Sequence, residues 1–301
     1  MRKRTGITAD GFNALALLLP YGLLFSLFIA IPIAIAIFLS LTYFNMVEFP
    51  SYAGFANYIS IFTQDATFFQ HVLPNTLQFV LVVGPGGYVL AFMMALVLAQ
   101  IQPVPRTIYA LCIYTPSLAG GVLVSTIWTM IFSGNQQGII NGMLLSWNIV
   151  DQPIQFLLEA GWIMPIMIFV SLWSAMGIGF LAMLAGILNV NEEVYEAAYI
   201  DGIQNRFQEI IHITIPSLKP QMLFGAVMAI VGAFNNAGIG VALTGANPTP
   251  HYAGQLMPNH IDDFAFQRFE MGYAAALSVL LLCIVWVFSK VSYKLFGSSD
   301  Y

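Results

Sequence analysis

Apolar residues run along this chain in long uncharged blocks separated by short polar breaks, not in the three-to-four-residue rhythm of an amphipathic helix on a soluble core. From Gly11 to Val47 no residue is charged. A helix needs roughly 20 predominantly apolar residues to cross the hydrocarbon core of a bilayer. Blocks of that kind predict six membrane spans, near 12–43, 75–100, 107–133, 161–188, 221–245 and 270–294. The uncharged block from Thr107 to Val150 is longer than one helix requires. Its break at Ser133-Gly134-Asn135 and Gly138 predicts a turn, then a short interfacial or re-entrant segment around Ile139–Trp147. Several spans carry helix-bending residues: Pro20 and Pro32, Gly84-Pro85-Gly86-Gly87, Pro116 near Gly120-Gly121, and Pro165. Glycine lets helix backbones approach closely and proline frees a carbonyl and bends the helix, so the bundle is expected to pack tightly and to contain helices that can rearrange.

Composition excludes a soluble alternative. Hydrophobic residues are 59% of the chain and charged residues 8%, against about 25% charged in ordinary soluble domains. The net charge of −5 leaves no basic face for nucleic acid. Cys112 and Cys283 both lie in apolar runs and read as small buried hydrophobes, with neither a disulfide framework nor a metal spacing. The basic start, Met1-Arg2-Lys3-Arg4, resembles a signal peptide, but the apolar run behind it far exceeds a cleavable core of about 7–15 residues. It reads as a retained membrane helix. With the N-terminus inside, Arg2, Lys3, Arg4, Arg106, Arg206, Lys219, Lys290 and Lys294 all fall on the cytoplasmic side and only Arg268 outside. That division follows the rule that short cytoplasmic loops carry the Lys/Arg excess, and it requires an even number of spans with both termini inside. The outer loops, with Glu48, Asp65, Asp151, Glu159, Asp262 and Asp263, read first as solvated loops, with part of a docking surface for an extracytoplasmic partner as the sharper alternative. His251 and His260 flank a Pro-rich outer loop whose irregular spacing does not suit a metal site.

The loop from Asn191 to Pro220 carries the most specific signals. Asn191 is a good N-cap, and Glu192 and Glu193 complement the positive end of the helix dipole. Gly202 suits the left-handed position that ends a helix. A second start follows at Asn205, with Gln208 three residues on, close to a capping box. Two short helices around a glycine corner are therefore expected, and the small Ala197 and Ala198 allow a partner surface to come close. Glu196-Ala197-Ala198-Tyr-Ile-Asp201-Gly202, followed by Ile213-Thr214-Ile215-Pro216, resembles the EAA motif of ABC-importer permeases. Tyr195, Asp201 and Pro220 are similar to the extended form of that motif in the carbohydrate-uptake branch, the maltose and glycerol-phosphate type. Leu19-Pro20, Ile31-Pro32, Phe55-Ala56-Asn57-Tyr58 and Asn75-Thr76 resemble its larger, first-partner permease. One departure is present: the ten residues Ile203–His212 between Gly202 and Ile213 are one more than the family's common spacing. An extra residue in a helix implies a rotation of about 100° for the residues beyond it.

The resemblance implies an all-α integral membrane protein, the type I ABC-importer transmembrane domain, occupying 1–301 as a single permease domain. It implies that the loop at 191–220 is a coupling helix seated on an ATPase subunit through Glu196, Ala197, Ala198, Asp201, Gly202 and Pro216. It further implies a second homologous permease, an ATPase dimer, an extracytoplasmic solute-binding protein, and residence in the plasma membrane of a prokaryote. No G-x-x-x-x-G-K-[ST] phosphate loop occurs here, so this chain is not expected to be an enzyme or to bind a cofactor, and ATP with magnesium belongs on the partner ATPase. For the substrate pathway, Trp173 and Ser174 in the fourth span and Phe234, Asn235 and Asn236 in the fifth suit a sugar, because amides bond hydroxyls and aromatic rings cover apolar sugar faces. No span carries an ionisable residue near its centre, which argues against a proton relay. A permease for a non-sugar solute remains an alternative, because the motif reports coupling and not cargo. A secondary transporter, the remaining alternative, calls for repeats, broken helices and intramembrane charge.

Overall fold

The computed structural model describes residues 9–119 and 121–296, so Arg2, Lys3, Arg4 and Gly120 lie outside the described residues. In chain order the helices are α1 (Ala9–Phe25), α2 (Ile31–Ser40), α3 (Ala56–Thr63), α4 (Leu73–Ala99), α5 (Pro103–Leu118), α6 (Gly121–Ile131), α7 (Ile139–Ser146), α8 (Ala160–Trp173) and α9 (Ile178–Leu188). They continue with α10 (Glu192–Ile200), α11 (Arg206–Glu209), α12 (Ile215–Ser217), α13 (Lys219–Asn235), α14 (Ile239–Thr244), α15 (Met257–Asp262) and α16 (Met271–Phe296). Contacts divide the described chain into two compact units. One holds the residues up to Gln64 together with Phe264–Leu280, and the other holds Asp65–Asp263 with the residues from Leu281 on.

In the first unit, α1 and α2 are joined by a π-helical turn, Ser26–Ala30, and Pro32 stands second in α2, within a continuous helical run. Leu17, Leu18, Phe28 and Phe38 are all exposed. A helix apolar on every side suits hydrocarbon and not water. Below α2 a two-residue hairpin, β1 (Thr42–Tyr43) with β2 (Ser51–Tyr52), pairs Thr42 with Tyr52. The Asn57-Tyr58 dipeptide secures α3 to this turn. The Asn57 side chain donates to the carbonyls of Ser40 and Thr42, both at 2.9 Å, and the Tyr58 hydroxyl donates to Ser40 Oγ.

In the second unit, α4, α9 and α13 form the tightest kernel. A Cβ on Gly179 would lie 3.2 Å from the Cα of Gly225, and one on Gly87 2.9 Å from the Ala175 methyl. At Gly179 and Gly225 backbone meets backbone, because neither α9 nor α13 carries a side chain at that crossing. Buried Met183 and Phe180 of α9, with Ala91, Ala95 and Leu98 of α4, complete this packing. A second apolar cluster gathers Phe79, Val80 and Val83 of α4, Ile163, Met167 and Val170 of α8, and Phe234 of α13. The Asn75-Thr76 pair also has a role: Asn75 donates to the carbonyls of Tyr252 and Gln255, and Thr76 Oγ1 accepts the Met257 N–H at 2.8 Å. These bonds fix the Pro-rich 245–263 loop on the start of α4.

Among the described residues, three helices are alone long and apolar enough to cross a bilayer, Leu17–Ser40, Phe68–Ala99 and Met271–Lys294. The spans expected at 107–133, 161–188 and 221–245 are not single helices. The first is α5 followed by α6, and α5 ends two residues after Pro116. The second is α8 and α9, bent by 41° across Ser174–Gly177. The third is α13, a 3₁₀ turn at Asn236–Gly238, and α14. Lys219 opens α13 after a sharp corner of 83° from the Arg206–Ser217 stretch. The helix expected around Ile139–Trp147 is present as α7, where buried Asn141 donates to the carbonyls of Ser133 and Ile154 and accepts the Ile154 N–H. The cysteines correct the sequence reading: Cys112 and Cys283 are free thiols but exposed, because in a membrane bundle an apolar run can face outwards as readily as inwards.

Candidate functional site

Two regions of the second unit concentrate polar chemistry, the Asn191–Pro220 loop and a cavity among the broken helices. In the loop each expected cap is formed. Asn191 Oδ1 accepts the Glu193 N–H at 3.2 Å at the start of α10, whose first turn holds Glu192 and Glu193. At the other end Gly202 takes φ +101. The Ile203 N–H bonds the Ala198 carbonyl and the Gly202 N–H bonds that of Tyr199, the paired pattern that closes a helix on a left-handed residue. Asn205 Oδ1 then accepts the Gln208 N–H at 2.9 Å, and the Gln208 side chain accepts from Gln204 N–H. The reciprocal bond falls one residue before the cap, so the box is offset by one position from the usual form.

After α11 the chain makes a π-helical turn, Ile210–Thr214, before α12. Such a turn closes its hydrogen bonds five residues apart instead of four.

No side chain of α10 is buried. Glu196, Ala197, Asp201, Gly202 and Pro216 are all exposed and Ala198 is half-buried. Ile200 and Phe207 stand out beside them, 86% and 72% exposed, as an apolar pair at the loop tip. Beneath that surface lies a polar cluster the sequence did not reveal. Glu209, only 6% exposed, accepts from the Tyr199 hydroxyl at 2.7 Å and from Arg206 at 2.6 Å. The Tyr195 hydroxyl meets Thr214 Oγ1 at 3.3 Å. The hydrogen bond to Glu209, with burial and the carboxylate's charge adding to it, holds the Tyr199 phenol above its ordinary pKa. Its neutral, donating form therefore persists through the neutral range, and the contact is lost only as pH rises past that raised value.

The cavity, of about 540 Å³, opens between α4, α5, α6, α8, α9 and α13. Its polar lining is the hydroxyls of Tyr88, Tyr114, Ser117, Ser171 and Ser174 and the amide of Asn236, and it includes no Asp, Glu, Lys, Arg or His. Asn236 Nδ2 donates to Ser171 Oγ at 2.9 Å, tying the break after α13 to the last turn of α8. Ser174 Oγ turns back onto the Val170 carbonyl, at the bend between α8 and α9. Of the five residues singled out for a pathway, Ser174 and Asn236 line this cavity. Trp173 faces away and meets Trp128 edge-on at 5.4 Å. Phe234 is buried against Phe288, and Asn235 is exposed at the end of α13. Tyr88, Tyr114, Ser117 and Ser171 went unnoticed. Only Ser171, three residues before Ser174 and so on a shared helix face, had a local signal.

In the 245–263 loop, His260 is buried with its Nε2 2.8 Å from Asp65 Oδ2, while His251 is exposed with a left-handed backbone. Thr249, Gln255 and Asn247 bond to one another along the same loop. Among the described residues no group of three or more His, Cys, Asp or Glu could hold a metal ion.

An all-helical chain with broken apolar spans, a capped double-helix loop and a neutral cavity has the architecture of a membrane transport subunit. Residues 87–292 match the family of binding-protein-dependent transport system inner membrane components, and the chain belongs to it. It is 31% identical to the probable ABC transporter permease protein YesP of Bacillus subtilis (strain 168), over 98% of this chain and 93% of that one. It is also 31% identical to the arabinooligosaccharides transport system permease protein AraP of the same organism, over 82% of this chain and 77% of that one. Among solved structures, a bacterial ABC transporter involved in the import of the acidic polysaccharide alginate shares the fold, with a TM-score of 0.77 at 22% identity and 97% of each chain covered. The chain is thus an inner-membrane ABC permease, a transport subunit and not an enzyme.

Proposed function

We propose that this permease forms half of the translocation pathway for a neutral sugar or oligosaccharide, delivered from outside by a solute-binding protein and driven by a separate ATPase dimer. The observation that carries the cargo reading is the cavity lining: six hydroxyl or amide groups, with no Asp, Glu, Lys, Arg or His, among apolar walls. Such a surface bonds sugar hydroxyls and offers nothing to neutralise a charged solute or relay a proton. Relatives named for arabino-oligosaccharide transport support it. A second, homologous permease supplies the other half of the passage. The reading takes residues 1–301 as one permease domain with six spans, three of them interrupted helices, and both termini in the cytoplasm. On that topology the 191–220 loop faces the cytoplasm, and the 245–263 loop contributes to the docking face for the binding protein.

Glu196, Ala197, Ala198, Asp201, Gly202 and Pro216 then form the ATPase-facing surface, with exposed Ile200 and Phe207 as its apolar contacts. ATP and magnesium bind to the partner. Closure of the ATPase dimer displaces α10, and that displacement reaches α9 and α13 directly, because the loop joins those two helices and they are packed backbone to backbone. The test is uptake by proteoliposomes holding this permease with its second permease, ATPase and binding protein. Neutral arabino-oligosaccharides are expected to enter in an ATP-dependent way, and alginate oligosaccharides are not. Preference for the acidic sugar would overturn the cargo reading, and ATP-independent uptake by this chain alone would overturn the coupling reading.

A further inference from the structure

Within the loop assigned to the ATPase contact, α10 is held to the rest of the protein by little. None of its side chains is buried, and the corner after it is a left-handed glycine with no atom within 4 Å of where a Cβ would stand. At such a corner the helix would swing against the returning limb of the loop when pushed. Two hydroxyls oppose this. Tyr195 and Tyr199 stand four residues apart and so share one face of α10. They reach Thr214 and Glu209 respectively on the returning limb of the loop.

Glu209 and Thr214 are five residues apart. On an α-helix, residues five apart point about 140° away from each other, so only one could face the tyrosines. The intervening turn, Ile210–Thr214, is a π-turn. Its hydrogen bonds close at five residues, which stacks residue i+5 over residue i and puts both partners on one side.

We infer that Glu209 is a positioning residue: with Arg206 it grips the Tyr199 hydroxyl, and with the π-turn and Thr214 it clasps α10 to α11 and α12, so that a displacement of α10 passes into α13 and is not lost at Gly202. This rests on the reading of the loop as the ATPase contact, but the clasp lies within one chain and can be measured without a partner. One consequence separates it from ordinary loop packing. Deleting His212, an exposed residue inside the π-turn, brings Glu209 and Thr214 to four residues apart, an α-helical spacing that still shares a face. Inserting an alanine after His212 puts them six apart and does not.

The test uses spin labels at Glu192→Cys and Phe224→Cys in a Cys112→Ser/Cys283→Ser background, with the permease in nanodiscs and then in the complex with its ATPase. The native loop should give one narrow distance distribution that remains narrow when the complex is trapped with vanadate and ATP. Tyr199→Phe, Glu209→Ala and the alanine insertion should each broaden it at least twofold while the chain stays inserted. Tyr199→Phe combined with Glu209→Ala should broaden it no further than either alone. Glu209→Gln, which can still accept from Tyr199, and the deletion of His212 should keep it narrow. An unchanged width in Tyr199→Phe and Glu209→Ala, or a broad one after deletion of His212, overturns the clasp. Failure of the native chain to bind the ATPase, with the nanodisc distances narrow in the native chain and broad in the variants, overturns the coupling reading and leaves the clasp standing.

Discussion

The 191–220 loop and the neutral cavity lie in the same unit and are built in opposite ways. Each part of the loop is fixed by residues a few positions apart: Asn191 caps Glu193, Gly202 closes on Ala198 and Tyr199, and Asn205 caps Gln208. The cavity joins Tyr88, Tyr114, Ser171 and Asn236, which are scattered over nearly half the chain and meet only after α4, α9 and α13 have packed. A local device makes a rigid lever whose shape barely depends on the bundle. A non-local device makes a passage whose lining changes whenever the bundle moves. In an importer the two are complementary, since the lever must keep its shape while the passage must not.

If that contrast holds, the largest effect should come from breaking the lever at its corner. Gly202→Pro cannot adopt φ +101 and removes the N–H that bonds the Tyr199 carbonyl. Inserted protein and ATPase binding should survive, while substrate-stimulated ATP hydrolysis in the reconstituted complex falls to the basal rate. Full stimulation would show that the corner is not part of the lever. Gly202→Ala, which strains the backbone by about 1–2 kcal/mol, should fall between the two. The kernel glycines offer a contrasting lesion. Gly179→Leu drives a side chain into the Gly225 backbone, and overpacking of this kind costs about 1–3 kcal/mol. It should lower the amount of folded permease in the membrane, read by quantitative immunoblot, without altering ATP hydrolysed per sugar imported by what remains.

How much was legible follows the same division. The caps, the glycine corner and the apolar spans were readable because their causes lie within one helix or one turn. The π-turn at Ile210–Thr214 was not legible, because spacing alone does not tell where a helix closes its hydrogen bonds at five residues instead of four. Glu209 was hidden for a different reason. In a loop rich in charge it looks solvated, and only the fold shows that Tyr199 and Arg206 enclose it. Trp173 and Phe234 were picked by type, as aromatic groups beside polar ones. Trp173 adjoins Ser174, which does line the cavity, and Phe234 stands two positions before Asn236, which also does. A single position turns a side chain by about 100° and two by about 200°, enough in either case to face it elsewhere. Tyr88 and Tyr114 gave no warning, since a tyrosine in an apolar run looks the same whether it lines a passage or fills a gap.

Moderate effects should separate the lever from the passage cleanly. Asn191→Ala removes an N-cap, a loss of about 1 kcal/mol confined to the first turn of α10. It should reduce stimulated ATP hydrolysis severalfold at most and leave sugar preference unchanged, because the α10 face and the Tyr199 contact remain. A change in which sugars enter, measured by competition uptake, would show that the lever and the passage are not independent.

The smallest and sharpest contrast lies in two adjacent asparagines. Asn236 lines the cavity and donates to Ser171, whereas Asn235 is exposed and lies outside the lining. Asn236→Ala removes a hydrogen bond between helices, worth about 0.6 kcal/mol within a membrane bundle, together with one of the six polar groups that a sugar can meet. Sugar uptake should therefore fall severalfold with membrane levels unchanged. Asn235→Ala should stay within experimental scatter of the native chain. If the two variants fall equally, Asn235 must turn inwards during transport, and the passage is then lined by both faces of the break after α13. That outcome would make the contrast with the loop stronger still, since it would show the cavity wall rotating while the capped helices below it keep their form.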